Sequence, residues 1–339
     1  MLLRRLTEER WAQLDTSTVL GTDGAGPRDE FEALARQTPG IHAGYTSLSF
    51  APSSAPRHAI LRQSEDGFVS MSSDSTHQRR DFESMGGYLV GSPIVGPNPA
   101  KLCQSLAALL AGYRVTIGEL IVPGVIPQGP MHEAVDASFR RQGFRVWASE
   151  PVDIAYVHLD TERGISPSEA FLAGKSRTFR RAIERARRAC EDVGIRFEHV
   201  PVNAGFDQLL ARILEVESRS WKADAAAGLY DPDLYASTID ACRSLHRDEK
   251  LRVSFARHGE RDVSYVLGAV VNGVYVGMQF SFDRDYAAYR LGDHGQLATM
   301  DRVANEGVRE YSLGSITEAT QYKLRWADEL RPALTLFIR

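Results

Sequence analysis

The stretch Tyr289–Trp326, YRLGDHGQLATMDRVANEGVREYSLGSITEATQYKLRW, decides how the rest of the chain is read. It has the pattern of a strand, a glycine-containing turn, a helix, a short strand and a basic-aromatic helix. Leu297, Met300, Ala304 and Val308 fall near one face, which predicts a helix over 297–308. A turn that opens a helix can hold an anion, because the first N–H groups lack partners and the helix dipole favours negative charge. Leu291, Gly292, Gly295 and Gln296 are therefore expected to build a cradle for a phosphate-bearing ligand.

Working outward, 339 residues suffice for two domains with separate cores. A formal charge of −4 argues against bulk nucleic-acid binding but permits a local basic patch. The three cysteines, Cys103, Cys190 and Cys242, lack metal-ligand spacing, and no metal is expected. Their sparse, odd number suits a reduced compartment. No apolar run reaches the ~20 residues of a membrane span, and the N-terminus lacks a signal-peptide core. The expectation is a cytoplasmic protein, monomer or homodimer, with no membrane association.

Residues 1–14 have an amphipathic helical pattern, and 15–27 form a turn-rich loop, either a lid or plain surface. Arg28–Arg36 is expected to be helical. Short alternating runs at 45–50, 58–63 and 67–73 predict antiparallel strands, with a solvated loop at 77–81. A strand at Tyr88–Val90 precedes a helix capped by Asn98-Pro99, with Leu102, Leu106, Leu109 and Leu110 on one face. A strand over 115–122, a helix over 132–141 and strands near 144–147 and 154–159 follow. This block repeats the order of the opening stretch. Tyr88-Leu89-Val90-Gly91 matches Tyr289-Arg290-Leu291-Gly292, and 112–118 matches 307–314, at an offset of about 195–201 positions. Two copies of one domain, or the glycine punctuation common to α/β folds, account for this. The first copy carries Pro93, Pro97 and Pro99 where the cradle would be. Proline has no N–H to offer, so the first copy reads as a wall or an acceptor pocket.

The connecting helix after Ser166-Pro167 holds seven basic residues between Lys175 and Arg188, against Glu184 alone. It is either a solvated face or an anion clamp. Phe179, Ile183, Ala186 and Cys190 give it a narrow apolar seam. In the next helix Phe206, Leu209, Leu210 and Ile213 share a face, which the 3.6-residue period extends to Glu217 and Trp221. A carboxylate at the end of an apolar stripe is partly desolvated, which suits either a general base or a structural ion pair. Asn272-Gly273 between two apolar runs is the strongest hairpin signal in the chain. It sits among strands at 251–257, 264–271, 274–282 and 287–291.

Helices, a strand meander, a phosphate turn, a helix and another strand follow the order of the GNAT acyltransferase fold. The second half also resembles the Fem-like or BioF2-like branch of that superfamily, in which two GNAT domains occur in tandem. The resemblance is carried by Lys175-Ser-Arg177, Ser220-Trp221-Lys222 and Tyr322-Lys323-Leu-Arg-Trp326. It covers about residues 165–330 and implies an α/β chain with a mixed sheet. The implied parts are a degenerate acceptor-side domain over 1–160, a basic connecting helix over 161–195 and a donor-binding domain over 196–339. The turn Arg290–Ala298 departs from the usual Q/R-x-x-G-x-G/A spacing, and Asp293 would repel phosphate unless it points away.

The resemblance implies an N-acyltransferase. It would use acetyl-CoA, a longer acyl-CoA or an acyl carrier protein thioester, and act on an amine of a small molecule or peptide, as in natural-product or peptide modification. Two alternatives remain open: an aminoacyl-tRNA-dependent Fem-like transferase, and a non-catalytic GNAT-fold binding module. Direct attack needs a base for the amine and an acid for the leaving thiolate, but no covalent nucleophile. Glu217, His294 and Asp293 are the candidate bases, with Asp293 expected to raise the His294 pKa. Tyr322 is the candidate acid. Lys323 and Arg325 are candidate donor contacts, and Trp221, Lys222, Arg177 and Arg181 candidate substrate contacts.

Overall fold

The computed structural model describes residues 28–42, 57–63, 67–73, 94–112, 120–159 and 164–339. The expected elements at 1–14, 15–27, 45–50, 77–81 and 88–90 lie outside these residues. So does all of 113–119, and with it most of the first-copy half of the sequence repeat. The chain divides into two compact units. One comprises 1–154, 315–321 and 330–339; the other comprises 155–314 and 322–329.

In the first unit, α1 (Arg28–Gln37) precedes the antiparallel strands β1 (Arg57–Gln63), β2 (Gly67–Ser73) and β3 (Ile94–Val95). Helix α2 (Pro99–Gly112), β4 (Leu120–Val125), α3 (Pro130–Arg141) and β5 (Val146–Ala148) follow. The last strand of the chain, β12 (Glu329–Ile338), pairs antiparallel with β4 and β5. The expected boundary at 160 therefore differs from the structure: the C-terminal strand joins the first unit, because its apolar residues Leu334, Leu336 and Ile338 enter the core of Phe31, Leu102, Val122, Met131 and Phe139. Local sequence cannot reveal such a return of the chain.

The second unit begins within β6 (Val152–His158), followed by α4 (Pro167–Ala173) and α5 (Arg177–Asp192). Ser166 and Glu169 close a reciprocal capping box at the start of α4. Then come β7 (Ile195–His199), α6 (Phe206–Ser218), the short α7 (Trp221–Asp224), α8 (Pro232–Arg247), β8 (Leu251–His258), β9 (Arg261–Val271) and β10 (Val274–Phe282). Helix α9 (Leu291–Asn305) and β11 (Glu310–Ser315) complete the set. The strand order in this unit is β6-β11-β10-β9-β8-β7. Asn272 and Gly273 both have positive φ, 53° and 76°, as a tight two-residue hairpin between β9 and β10 requires. Strand β9 is buried nearly throughout, because α6 and α9 both pack against it.

Two expectations for the opening stretch are corrected. Residues 284–289 form a 3-10 helix rather than a strand, started by the Asp283 side chain accepting from the Asp285 N–H. Gly292–Gln296 is the first part of α9, not a turn ahead of it, and Arg290 at φ 51° sets the entry. Its glycines serve close packing instead. A Cβ on Gly292 would lie 2.7 Å from the Phe280 ring, and one on Gly295 would lie 2.6 Å from Val266.

Two of the quoted motifs, those of Lys175 and of Tyr322–Trp326, meet in a clasp. Trp326 is 1% exposed. It stacks on Phe171 at 5.2 Å between centroids and meets Phe179 edge-on at 5.4 Å. Lys175 donates to the Trp326 carbonyl at 2.8 Å and the Asp328 carboxylate at 2.7 Å, with its ammonium over Phe171. The clasp fixes where residues 322–326 lie. Trp326→Ala should cost about 3–5 kcal/mol of stability, read as a lower midpoint in urea unfolding.

Candidate active site

The site begins where two parallel strands part. β10 and β11 pair only through Val274↔Glu310, Tyr275↔Tyr311 and Val276↔Ser312. On its other edge β10 has a register shift between Gly277 and Gln279. A bulge of this kind bends a strand and increases its twist. Gly277 lies against β11, where a Cβ would meet the Ser312 carbonyl at 3.0 Å. Beyond that point β10 runs on to Phe282 and β11 to Ser315 without a shared ladder.

A cavity of about 240 Å³ opens at this divergence. Phe280 and Phe282 of β10 and Leu313 of β11 line it. The first turns of α9 add Gly292, Asp293 and Gln296, preceded by Arg290, and Tyr322, Arg325 and Trp326 complete the wall. A crevice at the carboxyl ends of diverging parallel strands is a common ligand position in α/β folds.

Charges in the cavity are distributed unevenly. Arg290 holds the Asp293 carboxylate with its Nε at 2.6 Å and with a second guanidinium nitrogen. Asp293 thus faces the cavity and does not point away. Being in the first turn of α9, it occupies the anion position of that helix with the protein's own carboxylate. Gln296 is held by the Tyr311 hydroxyl, whose ring stacks on Tyr275 at 4.4 Å. Tyr322 meets Phe280 edge-on at 6.4 Å. Partial burial, then the Asp293 carboxylate, push its hydroxyl up to about 12.

Among the candidate catalytic residues, Asp293 and Tyr322 line the cavity; Glu217 and His294 do not. Glu217 is fully buried. It accepts from the Gln279 side chain at 2.7 Å, the Tyr265 hydroxyl at 3.0 Å and the Leu229 N–H at 3.3 Å, with Lys222 Nζ at 3.9 Å. Such enclosure suits an anchor: it ties the loop around Leu229 to β9 and β10. Lys222 in turn donates to the Phe280 carbonyl at 2.6 Å, behind the cavity wall. Its pKa is lowered by burial, against the pull of Glu217.

His294 faces the interior near Phe197, and its Nε2 is buried without a hydrogen-bond partner. The expected upward pKa shift is corrected: burial lowers it, outweighing Asp293. Of the candidate donor contacts, Gly292, Gln296 and Arg325 line the cavity. Leu291 is a core residue, Gly295 packs on Val266, and Lys323 is set back, with burial lowering its pKa to about 8. Trp221 is 57% exposed. The helical period expected to carry it inward is broken at Arg219 and Ser220, and Ser220 caps a new helix. Arg177 and Arg181 are exposed on α5. Phe280, Phe282, Arg290 and Leu313 were not singled out from sequence. The i, i+2 spacing of Phe280 and Phe282 places them on one face of a strand and was the available signal.

Outside the cavity, His158, Glu310 and Glu329 have ligand-type atoms within 4.8 Å of one another, and His158 pairs with Glu329 at 3.1 Å. Among the described residues no helix is long and apolar enough to cross a membrane.

Residues 177–324 match the family model described as acetyltransferase (GNAT) domain. Across nearly the whole chain, the fold is shared with FemX: TM-score 0.58 and 10% identity, over 92% of this chain and 95% of that one. Residues 177–324 thus match a GNAT domain, and the chain as a whole shares the fold of FemX. A conserved protein of unknown function from Bacteroides thetaiotaomicron also aligns, with TM-score 0.63 and 11% identity over 95% of this chain and all of that one. L-PGS from Bacillus licheniformis gives 0.56 and 10% over 94% and 93%. No curated protein sequence matches significantly. The cavity-lining residues from Phe280 to Tyr322 fall inside the GNAT match, with Arg325 and Trp326 just past its end.

The orphaned His294 generates a pH test. A histidine whose folded pKa lies below its unfolded value of about 6.5 takes up protons more readily when unfolded, so stability rises with pH in that range. Its contribution is fully present above about pH 6.5 and declines as the pH falls towards the folded value. His42 and His199, also lowered by burial, act in the same direction. Urea midpoints should drop between pH 8 and pH 5, and His294→Phe should flatten part of that drop.

Proposed function

We propose that the second unit transfers an acyl group from a thioester donor to an amine by direct attack. The observation that carries this reading is the cavity at the divergence of β10 and β11, within a GNAT domain. The thioester end of an acyl-CoA or a carrier-bound acyl group suits the apolar walls supplied by Phe280, Phe282 and Leu313. The diphosphate of free CoA fits the start of α9 less well than a bare helix terminus would allow, because Asp293 already sits there.

In the transfer, the amine nitrogen bonds to the thioester carbonyl carbon and the carbon–sulfur bond breaks. Asp293 is the candidate that receives the amine proton. Tyr322 is the candidate that gives its proton to the departing thiolate; its raised pKa keeps it protonated throughout the working range. Both then exchange protons with solvent. Glu217 and Lys222 act behind the wall as positioning residues.

One observation favours the aminoacyl-tRNA reading: Arg177, Arg181 and Arg185 form an exposed stripe at four-residue spacing, with no acidic partner among the described residues. Arg187 and Arg188, by contrast, share Glu184.

Calorimetry with acetyl-CoA, a longer acyl-CoA and a charged tRNA separates these readings. Saturable binding of a CoA thioester is expected, and no binding of any donor would leave only a non-catalytic module. With an active donor–acceptor pair, Tyr322→Phe should lower kcat by about 10²–10⁴-fold with little change in donor affinity. An unchanged kcat would remove Tyr322 from the mechanism.

A further inference from the structure

The cavity wall contains two guanidinium groups in different electrical states. Arg290 is committed to Asp293, and the pair is close to neutral. Arg325 is exposed and has no carboxylate within ion-pair distance among the described residues. Its guanidinium lies by the Phe179 ring, whose centroid is 5.8 Å from its Cζ. A cation over an aromatic face is held in place without being neutralised. Phe179 is itself fixed by the Trp326 clasp, so Arg325 stands on a rigid support.

The same wall contains a second unmet donor. Trp326 is 1% exposed, lines the cavity, and its indole N–H is buried with no hydrogen-bond partner. A buried donor ordinarily finds an acceptor, and its absence here marks an incomplete environment. An unpaired guanidinium presents a planar fork of N–H groups matched to a carboxylate or phosphate. The rest of the lining is mostly apolar, so a ligand with an apolar body and one anionic group complements it.

We infer that Arg325 forms an anion subsite of this cavity, reading a carboxylate or phosphate carried by one of the two reactants. This rests on the transferase reading of the same cavity. Two sources share the chemistry: a carboxylate beside the acceptor amine, and a phosphate at the far end of the donor. Because Asp293 occupies the start of α9, neither anion has a better protein cation within the cavity. A plain solvated surface arginine would leave charged and neutral ligands indistinguishable.

The test titrates wild type, Arg325→Gln and Arg325→Lys with two matched pairs: CoA against pantetheine, which lacks the phosphates, and lysine against lysinamide, which lacks the carboxylate. In wild type the anion-bearing member of at least one pair should bind more tightly. Arg325→Gln should weaken that member by about 10- to 100-fold and leave the member that lacks the anion unchanged, with Arg325→Lys intermediate. The pair that responds identifies the source. Equal binding of both members to wild type overturns the subsite, as does a preference that survives Arg325→Gln or an equal loss for both members. Binding of none of the four probes overturns the subsite and counts against the transferase reading as well. Binding that is indifferent to Arg325 overturns the subsite alone.

Discussion

Everything at the candidate site depends on the parting of β10 and β11 after three paired residues. Parallel strands held together along their length would leave no space between Phe280 and Leu313. Parting them exposes backbone groups that a continuous ladder would satisfy, and a fold tolerates that only where something else meets them or solvent does. The register shift beside Gly277 bends β10, and the absent side chain at Gly277 lets the strands touch before they diverge. The cavity is thus a consequence of sheet geometry, and side chains only decorate it.

Three supports keep the opening from collapsing. Behind β10, the enclosed Glu217 carboxylate gathers Gln279, Tyr265 and the Leu229 N–H, while Lys222 holds the Phe280 carbonyl. Across the opening, Lys175 and the Phe171–Trp326–Phe179 cluster fix residues 322–326. Beneath it, Gly292 lets α9 approach the Phe280 ring. The three motifs that carried the family resemblance therefore have an identifiable physical role: they brace the walls, and of their residues only Tyr322, Arg325 and Trp326 reach the cavity itself.

Much of the second unit was legible in sequence because its signals are local. The apolar seam of α5, Phe179, Ile183, Ala186 and Cys190, is the set that is buried. The Asn272-Gly273 hairpin and the Ser166-Pro167 helix start depend on turn and cap chemistry that needs no tertiary information. Failures came where tertiary contact decides. Residues 284–289 alternate weakly enough to pass for a strand, but Asp283 caps them into a 3-10 helix. The glycines of 292–296 resemble turn punctuation, whereas they serve helix–sheet contact. Trp221 obeys the period of α6 until Ser220 ends it. The site was half visible for the same reason: Asp293, Tyr322 and Arg325 carry polar chemistry that a sequence displays, while the apolar Phe280 and Leu313 acquire meaning only once the strand divergence is known.

The central claim is that the acyl donor lies in the gap between β10 and β11. Backbone hydrogen exchange, with and without a saturating acyl thioester, addresses it most directly. Protection should increase in 277–282 and 313–314, with 291–296 following, while the already paired 274–276 changes little. Donor binding that leaves 277–282 and 313–314 unchanged, or protects only segments away from this divergence, would contradict the account.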